Sequence, residues 1–315
     1  MARLIFIPQY PAPMRYQEWW IKEFAERITG FSEKIVLQGC ETHVPSNSGD
    51  FSPVQQAIDW ETEQIKQYMS LTLRKDDVLL LSDLSFPGLF AQVLFHKRPK
   101  YCYAICHATS KNKYDYFAAD RKIKYPIEKT VAKLFNAIFV GSHYHERKLG
   151  WHNIIVTGLP IHAELQYIAH CHLLDLQREH KVRTIISVSR PGIQKRTRKL
   201  EKALGITIDV PLFLHTWEHY YQYIRESKVL FITAKEETFG YQVVDAIKNG
   251  CTVVAPNKYS YPELIEAKWL YNDGEGARIA LLQALKTQEK PVLLNDNLCS
   301  NFYETLSKQL LWNLE

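Results

Sequence analysis

From Val229 to Ile265 the chain reads VLFITAKEETFGYQVVDAIKNGCTVVAPNKYSYPELI, and no other stretch limits the possible folds so tightly. Val229 to Ala234 is a short continuous apolar run, the mark of a parallel strand buried on both faces. A polar loop with Lys235, Glu236, Glu237 and Thr238 follows. Gly240 then opens a segment in which Val243, Val244, Ala246 and Ile247 recur at helical spacing until Asn249-Gly250 ends it. Thr252 to Ala255 is the next strand. Units of this kind build a parallel sheet with helices on its faces, and ligands bind just outside the carboxyl ends of such strands. Glu237 is placed there. Backbone N–H groups at Gly240 and Tyr241, with no side chain on Gly240 to obstruct approach, favour phosphate oxygens at the same point. A carboxylate beside a phosphate site suits a sugar's hydroxyls held next to its diphosphate.

The rest of the chain repeats the alternation. Strands are expected at Arg3 to Pro8, Lys34 to Leu37, Val78 to Leu81, Tyr101 to Cys106, Ala137 to Val140 and Asn153 to Thr157. Helices are expected from near Tyr16, through Ala57, Ile58, Ile65 and Met69, from Phe86 to Phe95, from Ile127 to Phe135, and over HYHERKL after Ser142. This gives a doubly wound parallel sheet. His107 stands at the end of the fourth strand, facing the ligand crevice. On one reading it binds the transferred sugar or orients the acceptor hydroxyl; on the other it only caps the next loop. Thr184 to Ser189 opens a second sheet in which the stretch from Gly205 to Leu214 leaves little room for a second strand and helix. Strand Trp269 to Tyr271 and helices Tyr220 to Glu226, Ala277 to Leu285 and Leu294 to Leu314 complete the expectation. The domains are expected at 1–157, 158–293 and a C-terminal helix over 294–315.

Taken together, Glu237-x-Phe239-Gly240, the acid Asp245, Asn249-Gly250-Cys251-x-Val253-Val254-Ala255 and Pro262-Glu263 resemble the nucleotide-sugar motif of glycosyltransferase family 4. These are retaining enzymes of the GT-B fold. The resemblance implies two Rossmann-like domains facing a cleft, with the C-terminal helix returning to the first, and a donor held by Thr238, Phe239, Gly240 and Tyr241. It implies that Glu237 contacts the transferred sugar and that Asp245, one methylene shorter than the family's Glu, meets the nucleotide ribose. It further implies a clamp on the diphosphate from Arg190 and Lys195, whose charges would neutralise the leaving group without a metal. No Asp-x-Asp triplet occurs. The expected co-substrate is therefore a nucleotide sugar, UDP-sugar favoured, with no metal or other cofactor. The same stretch is similar to the tRNA-queuosine mannosyltransferases. Where the family carries a glycine pair in its first loop this chain has prolines, so Gln9, Tyr10 and Arg15 are expected to face the acceptor.

Charge distribution bears on that acceptor. The whole chain is only mildly basic, at +5, but between Leu84 and Gly150 twelve Lys or Arg stand against four Asp or Glu. From Lys111 to Tyr125 the cations Lys111, Lys113, Arg121, Lys122 and Lys124 interleave with Tyr114, Tyr116, Phe117 and Tyr125 on an expected loop, as a nucleic-acid channel requires; a solvated charged loop is the alternative. DNA or RNA carrying a hydroxylated modified base is the expected acceptor, with a glycan, lipid or small molecule, or a binding protein without catalysis, as alternatives. An oxidoreductase is disfavoured because no G-x-G-x-x-G follows a strand. The six cysteines lack metal-site spacing. No run approaches the roughly 20 apolar residues of a membrane span, and the N-terminus reads as a strand and not as a signal peptide. The expected location is the cytoplasm, that of the host if the chain is viral.

Overall fold

A computed structural model describes residues 2–12, 14–40, 54–114, 118, 120–162, 181–188, 191–211, 216–289, 291–312 and 314, with backbone alone at 191–196. The chain forms two compact units, Met1–Pro160 with Asn301–Glu315, and Ile161–Ser300.

In the first unit six strands lie parallel: β1 (Arg3–Ile7), β2 (Glu33–Val36), β3 (Val78–Leu81), β4 (Tyr101–Ile105), β5 (Ala137–Val140) and β6 (Ile154–Val156), in the order β2-β1-β3-β4-β5-β6. Every residue of β1, β3, β4 and β5 is buried, as continuous apolar runs demand. The helices are α1 (Tyr16–Arg27), α2 (Val54–Ser70), α3 (Phe90–Val93), α4 (Arg121–Ala132) and α5 (His143–Leu149). Ser142 caps α5 by accepting from His145 N at 3.1 Å.

Two expectations change here. The helix expected from Phe86 shrinks to α3, because the chain turns through Gly88, at φ +89°, just before it. The loop expected through Tyr125 is instead the first half of α4, with Pro126 inside it. Pro126 forfeits a helical hydrogen bond, but tertiary contacts hold the helix through that point. Lys124 Nζ donates to Ser85 O at 2.7 Å, Tyr125 Oη to Leu149 O at 3.2 Å, and Glu128 accepts from Ser110 Oγ at 2.7 Å. The sequence pattern of α2 also misleads: Met69 is exposed, whereas the polar Glu61 and Gln64 are buried.

The second unit has four parallel strands, β7 (Arg183–Ile186), β8 (Ser227–Phe231), β9 (Thr252–Pro256) and β10 (Leu270–Tyr271), in the order β10-β9-β8-β7. Its helices are α6 (Pro191–Leu204), α7 (Trp217–Arg225), α8 (Tyr241–Lys248), α9 (Gly274–Lys286) and α10 (Asp296–Ser300). Ile186 pairs with Leu230 of β8 and also, on its other side, with Asp209 through a single parallel bridge. That bridge is what remains of a second strand. Counting it, the order around β7 repeats the order around β1, with the chain leaving the first strand to one side and returning on the other. Each unit therefore has one topological switch point, at the carboxyl ends of β1 and β3 and of β7 and β8, where an open sheet forms its ligand crevice.

The single terminal helix expected from Leu294 is two helices, α10 and α11 (Phe302–Leu311). Leu294 N donates to Leu264 O at 2.9 Å and Lys248 Nζ pairs with Asp296 Oδ1 at 2.6 Å, so residues 294–300 stay with the second unit. The change of unit falls at Asn301. α11 returns to the first unit, where Phe302 and Tyr303 pack on Phe24 and Tyr303 Oη donates to Glu23 at 3.0 Å.

Candidate donor and acceptor sites

At the switch point of the second unit, β8 runs on through Ile232 N, which donates to Val254 O at 2.9 Å. Thr233 follows, its Oγ1 buried 3.0 Å from Thr197 Oγ1 of α6. This bond joins the helix after β7 to the loop after β8, and sequence reasoning overlooked both threonines. Glu237 is half-buried in that loop. Its Oε1 accepts from Thr238 N at 2.9 Å and Phe239 N at 3.2 Å, so the carboxylate is held against the backbone leading into α8. Phe239 is buried edge-on to Tyr241, ring centroids 4.9 Å apart.

Gly240 is the N-cap of α8, with φ +101°. A Cβ there would come within 2.8 Å of Leu264 Cδ1 and 3.6 Å of Tyr261 Cε1. The glycine thus serves a left-handed turn and close packing on the loop after β9, and the side on which a Cβ would project is filled by protein rather than kept open. Tyr261 beneath it is buried, and its phenol is pushed well above the ordinary range by that burial and then by the nearby Glu237 charge. The N-cap of α8 supplies no side-chain acceptor for its first turn.

Asp245 lies one turn into α8 and is buried. Its Oδ2 accepts from Tyr220 Oη of α7 at 2.8 Å. Burial pushes the carboxyl up to about 7, and the Tyr220 hydrogen bond pulls it down. Arg190 lies outside the described residues. Lys195 is in the second turn of α6, and its side chain is likewise outside them.

At the switch point of the first unit, Gln9 N donates to Ser82 Oγ at 2.6 Å, linking the ends of β1 and β3. Gln9 Oε1 accepts from Gln17 Nε2 at 2.8 Å. A recess opens beside them, lined by Pro8, Gln9, Tyr10, Trp60, Glu61 and Asp83 among others. The Tyr10 ring is buried edge-on to Trp60 at 6.0 Å, and Arg15 is the N-cap of α1. Glu61 Oε2 accepts from Leu89 N at 2.6 Å, and burial pushes this carboxyl up to about 7 against the pull of backbone hydrogen bonds. Trp60 and Glu61 do not stand out in the sequence: Trp60, three residues after Ala57, reads as one more core position, and a helix pattern does not say that the polar Glu61 is enclosed.

His107 is buried in the same region, its ring 4.6 Å from Tyr16 and 4.7 Å from Trp20. Burial lowers its pKa to about 3, against a hydrogen bond to the Ser82 backbone. His145 is lowered to about 3 as well, by burial and by the nearby Lys148 and His107. Both imidazoles are neutral near pH 7. The five sequence-predicted cations divide. Lys111 Nζ donates to Lys148 O and sits 5.3 Å from the Tyr125 ring centre, and Lys124 Nζ donates to Ser85 O and Pro87 O. Lys113, Arg121 and Lys122 are exposed, as is Tyr114, whereas Tyr116 and Phe117 lie outside the described residues.

No model of a known protein family matches the chain. Among solved structures it is similar to a sucrose-phosphate synthase from Thermosynechococcus elongatus, with 13% identity and TM-score 0.64 over 100% of this chain and 98% of that one. A UDP-forming alpha,alpha-trehalose-phosphate synthase from Burkholderia xenovorans, in complex with glucose-6-phosphate, matches at 12% identity and TM-score 0.63 over 98% of this chain and 99% of its own. An E. coli protein described as trehalose-6-phosphate bound with UDP-2-fluoro glucose matches at 12% and TM-score 0.56 over 99% and 96%. At such identities the likeness speaks for architecture: two α/β units with parallel sheets and a returning C-terminal helix, the GT-B fold.

Proposed function

We propose that the protein is a retaining glycosyltransferase that moves a sugar from a nucleotide-sugar donor, a UDP-sugar by preference, to a hydroxyl acceptor. The observation that carries this reading is the position of Glu237, a half-buried carboxylate held on the backbone at the switch point of the second unit and beside the N-terminus of α8. A carboxylate there can hold sugar hydroxyls and stabilise positive charge developing at the anomeric carbon, while the helix terminus favours the diphosphate. The family-4-like motif assigns Arg190 and Lys195 to the same diphosphate and Asp245 to the ribose. One similar protein is described with a UDP-sugar analogue bound, which supports the donor class. A screen of UDP- and GDP-sugars for nucleotide release, with the product's mass, tests the reading; no turnover of any sugar nucleotide would leave a binding protein in its place.

For the acceptor we propose a hydroxylated modified base in nucleic acid, such as a 5-hydroxymethylpyrimidine in DNA or a modified tRNA nucleoside. The cationic excess between Leu84 and Gly150 falls in the first unit, as do the exposed Lys113, Tyr114, Arg121 and Lys122. Neutral His107 and the recess at β1 and β3 would orient the hydroxyl that attacks. A phosphorylated sugar is the second reading, favoured by the similar protein described with glucose-6-phosphate. Product analysis with hydroxymethylated DNA, tRNA and glucose-6-phosphate as competing acceptors decides between them.

A further inference from the structure

The outward face of α4 has a composition that the glycosyltransferase reading leaves unexplained. Ile123 is 71% exposed and Ile127 47%. They are four residues apart, so they form one stripe along the helix. Lys122, Lys129 and Lys133, the last at the C-cap, are exposed and form a second stripe beside it, with exposed Pro126 and Thr130 between the two. Among the acids of the helix and its N-cap, Glu128 is buried on Ser110 and Asp120 is exposed at the far N-terminal edge. An exposed branched apolar pair beside an acid-poor row of lysines is costly to leave in water and calls for a polyanion with apolar surface of its own.

We propose that this face of α4 docks a nucleic-acid strand, with Lys122, Lys129 and Lys133 on phosphates and Ile123 and Ile127 against sugars or base edges. The proposal rests on the nucleic-acid acceptor and specifies the surface that holds it. The lysine row runs roughly 16 Å along the axis at 1.5 Å per residue, the length of about five phosphate steps at 3.4 Å each. Its one-sidedness argues for a strand over a membrane. A helix lying in a lipid interface carries cations across a broad polar face around a large apolar one, whereas here two isoleucines have lysines along one edge and Asp120 towards the other. Lys124, bound to the carbonyls of Ser85 and Pro87, holds α4 to the fold, and Lys111 precedes the helix and is bound to the Lys148 carbonyl; neither is a member of the row.

The test is fluorescence anisotropy with a hydroxymethylated DNA duplex and with tRNA, from about 50 to 200 mM salt. K122A/K129A/K133A should weaken binding at least tenfold and lower the slope of log affinity against log salt by about 2 to 3. I123S/I127S should weaken it severalfold with the slope unchanged, since the lost contact is apolar. K122E/K129E/K133E should abolish it, and melting of each variant, all at exposed positions, confirms the fold. Loss on tRNA alone or on DNA alone supports the face and identifies the strand. If the wild type binds either nucleic acid and the variants bind equally well, the docking face is wrong and the acceptor reading survives. If the wild type binds neither at 50 mM salt, both fall. Binding through these residues to phosphatidylserine vesicles, without nucleic-acid binding, would overturn the proposal in favour of a membrane surface.

Discussion

The two units are variations on one strand order, and they differ in what they place at the reversal. Around β1 the second strand is complete, and the recess at the ends of β1 and β3 is lined by Tyr10, Trp60 and Glu61, the last held at a raised pKa, while neutral His107 is buried on Tyr16 and Trp20. Around β7 the second strand has collapsed to the Asp209 bridge, and the end of β8 opens into Lys235-Glu236-Glu237 and the left-handed Gly240. Shared topology fixes where a crevice forms. Its chemistry is set by side chains that the order of strands does not specify: aromatic rings with the enclosed carboxyl of Glu61 in the first unit, a polar loop and a helix terminus in the second. Under the proposed glycosyltransferase reading, the first recess would take the acceptor hydroxyl and the second the diphosphate leaving group.

The largest expected effect separates two left-handed glycines, one in each unit. Gly240→Ala should cost about 3 kcal/mol, from positive φ and from overpacking against Leu264. Gly150, also at positive φ but with nothing within 4 Å of the added Cβ, should cost only about 1 kcal/mol as Gly150→Ala. Urea unfolding of both variants measures the gap, and equal losses would mean that the Leu264 contact relaxes freely. Glu237→Gln comes next. With the fold intact it should lower kcat by about a hundredfold, close to 2.7 kcal/mol, as removal of a transition-state electrostatic contact does. Near-normal turnover would remove Glu237 from the chemistry. EDTA should leave turnover unchanged; loss restored by a divalent ion would contradict a metal-free clamp.

His107 sharpens the comparison through pH. Its folded pKa of about 3 lies below the usual 6.5, so the unfolded chain takes up a proton that the folded one refuses. The stability that depends on a neutral His107 is present above pH 6.5 and declines by up to about 1.4 kcal/mol per pH unit as pH falls towards 3. The stability difference between wild type and His107→Gln should shrink by about 1 kcal/mol between pH 6.5 and 5.5, where the unfolded imidazole passes from half to almost fully protonated. A constant difference would show that His107 has the same pKa folded as unfolded.

Much of this was legible in advance because it is written locally. The apolar run into β8, the glycine at the turn and the Asn249-Gly250 stop place Glu237 at a strand end, and Ser142 marks the start of α5 as expected. What escaped sequence reasoning depends on distant partners. The helix is expected only from Ile127, yet α4 starts at Arg121 and runs through Pro126, where Lys124, Tyr125 and Glu128 are anchored elsewhere. From the sequence Gly240 is expected to clear space for phosphate, whereas its missing Cβ accommodates Leu264, 24 positions further along. The motif identified Asp245 but gave no sign that Tyr220, on the preceding helix, holds its carboxylate.

That pair yields the smallest predicted effect. Asp245 has a folded pKa near 7 against the ordinary 3.8, so the folded state binds its proton more tightly than the unfolded one. Stability from this group is complete below about pH 4 and is lost as pH rises through 7. Tyr220 supplies the hydrogen bond that pulls the value down. Tyr220→Phe should therefore cost about 1 kcal/mol at pH 5, where the acid is protonated and only a neutral hydrogen bond is lost. The loss should grow above pH 7, where the variant must either bury an unsupported carboxylate or keep its proton. In an Asp245→Asn background the Tyr220→Phe loss should not depend on pH, because no titratable group remains to be held. Melting temperatures of wild type, the two single variants and the double variant from pH 5 to 8.5 measure it. A Tyr220→Phe loss that stays flat across the range would mean that the two side chains do not share a hydrogen bond, and that Asp245 is free to turn towards a ligand without Tyr220 releasing it.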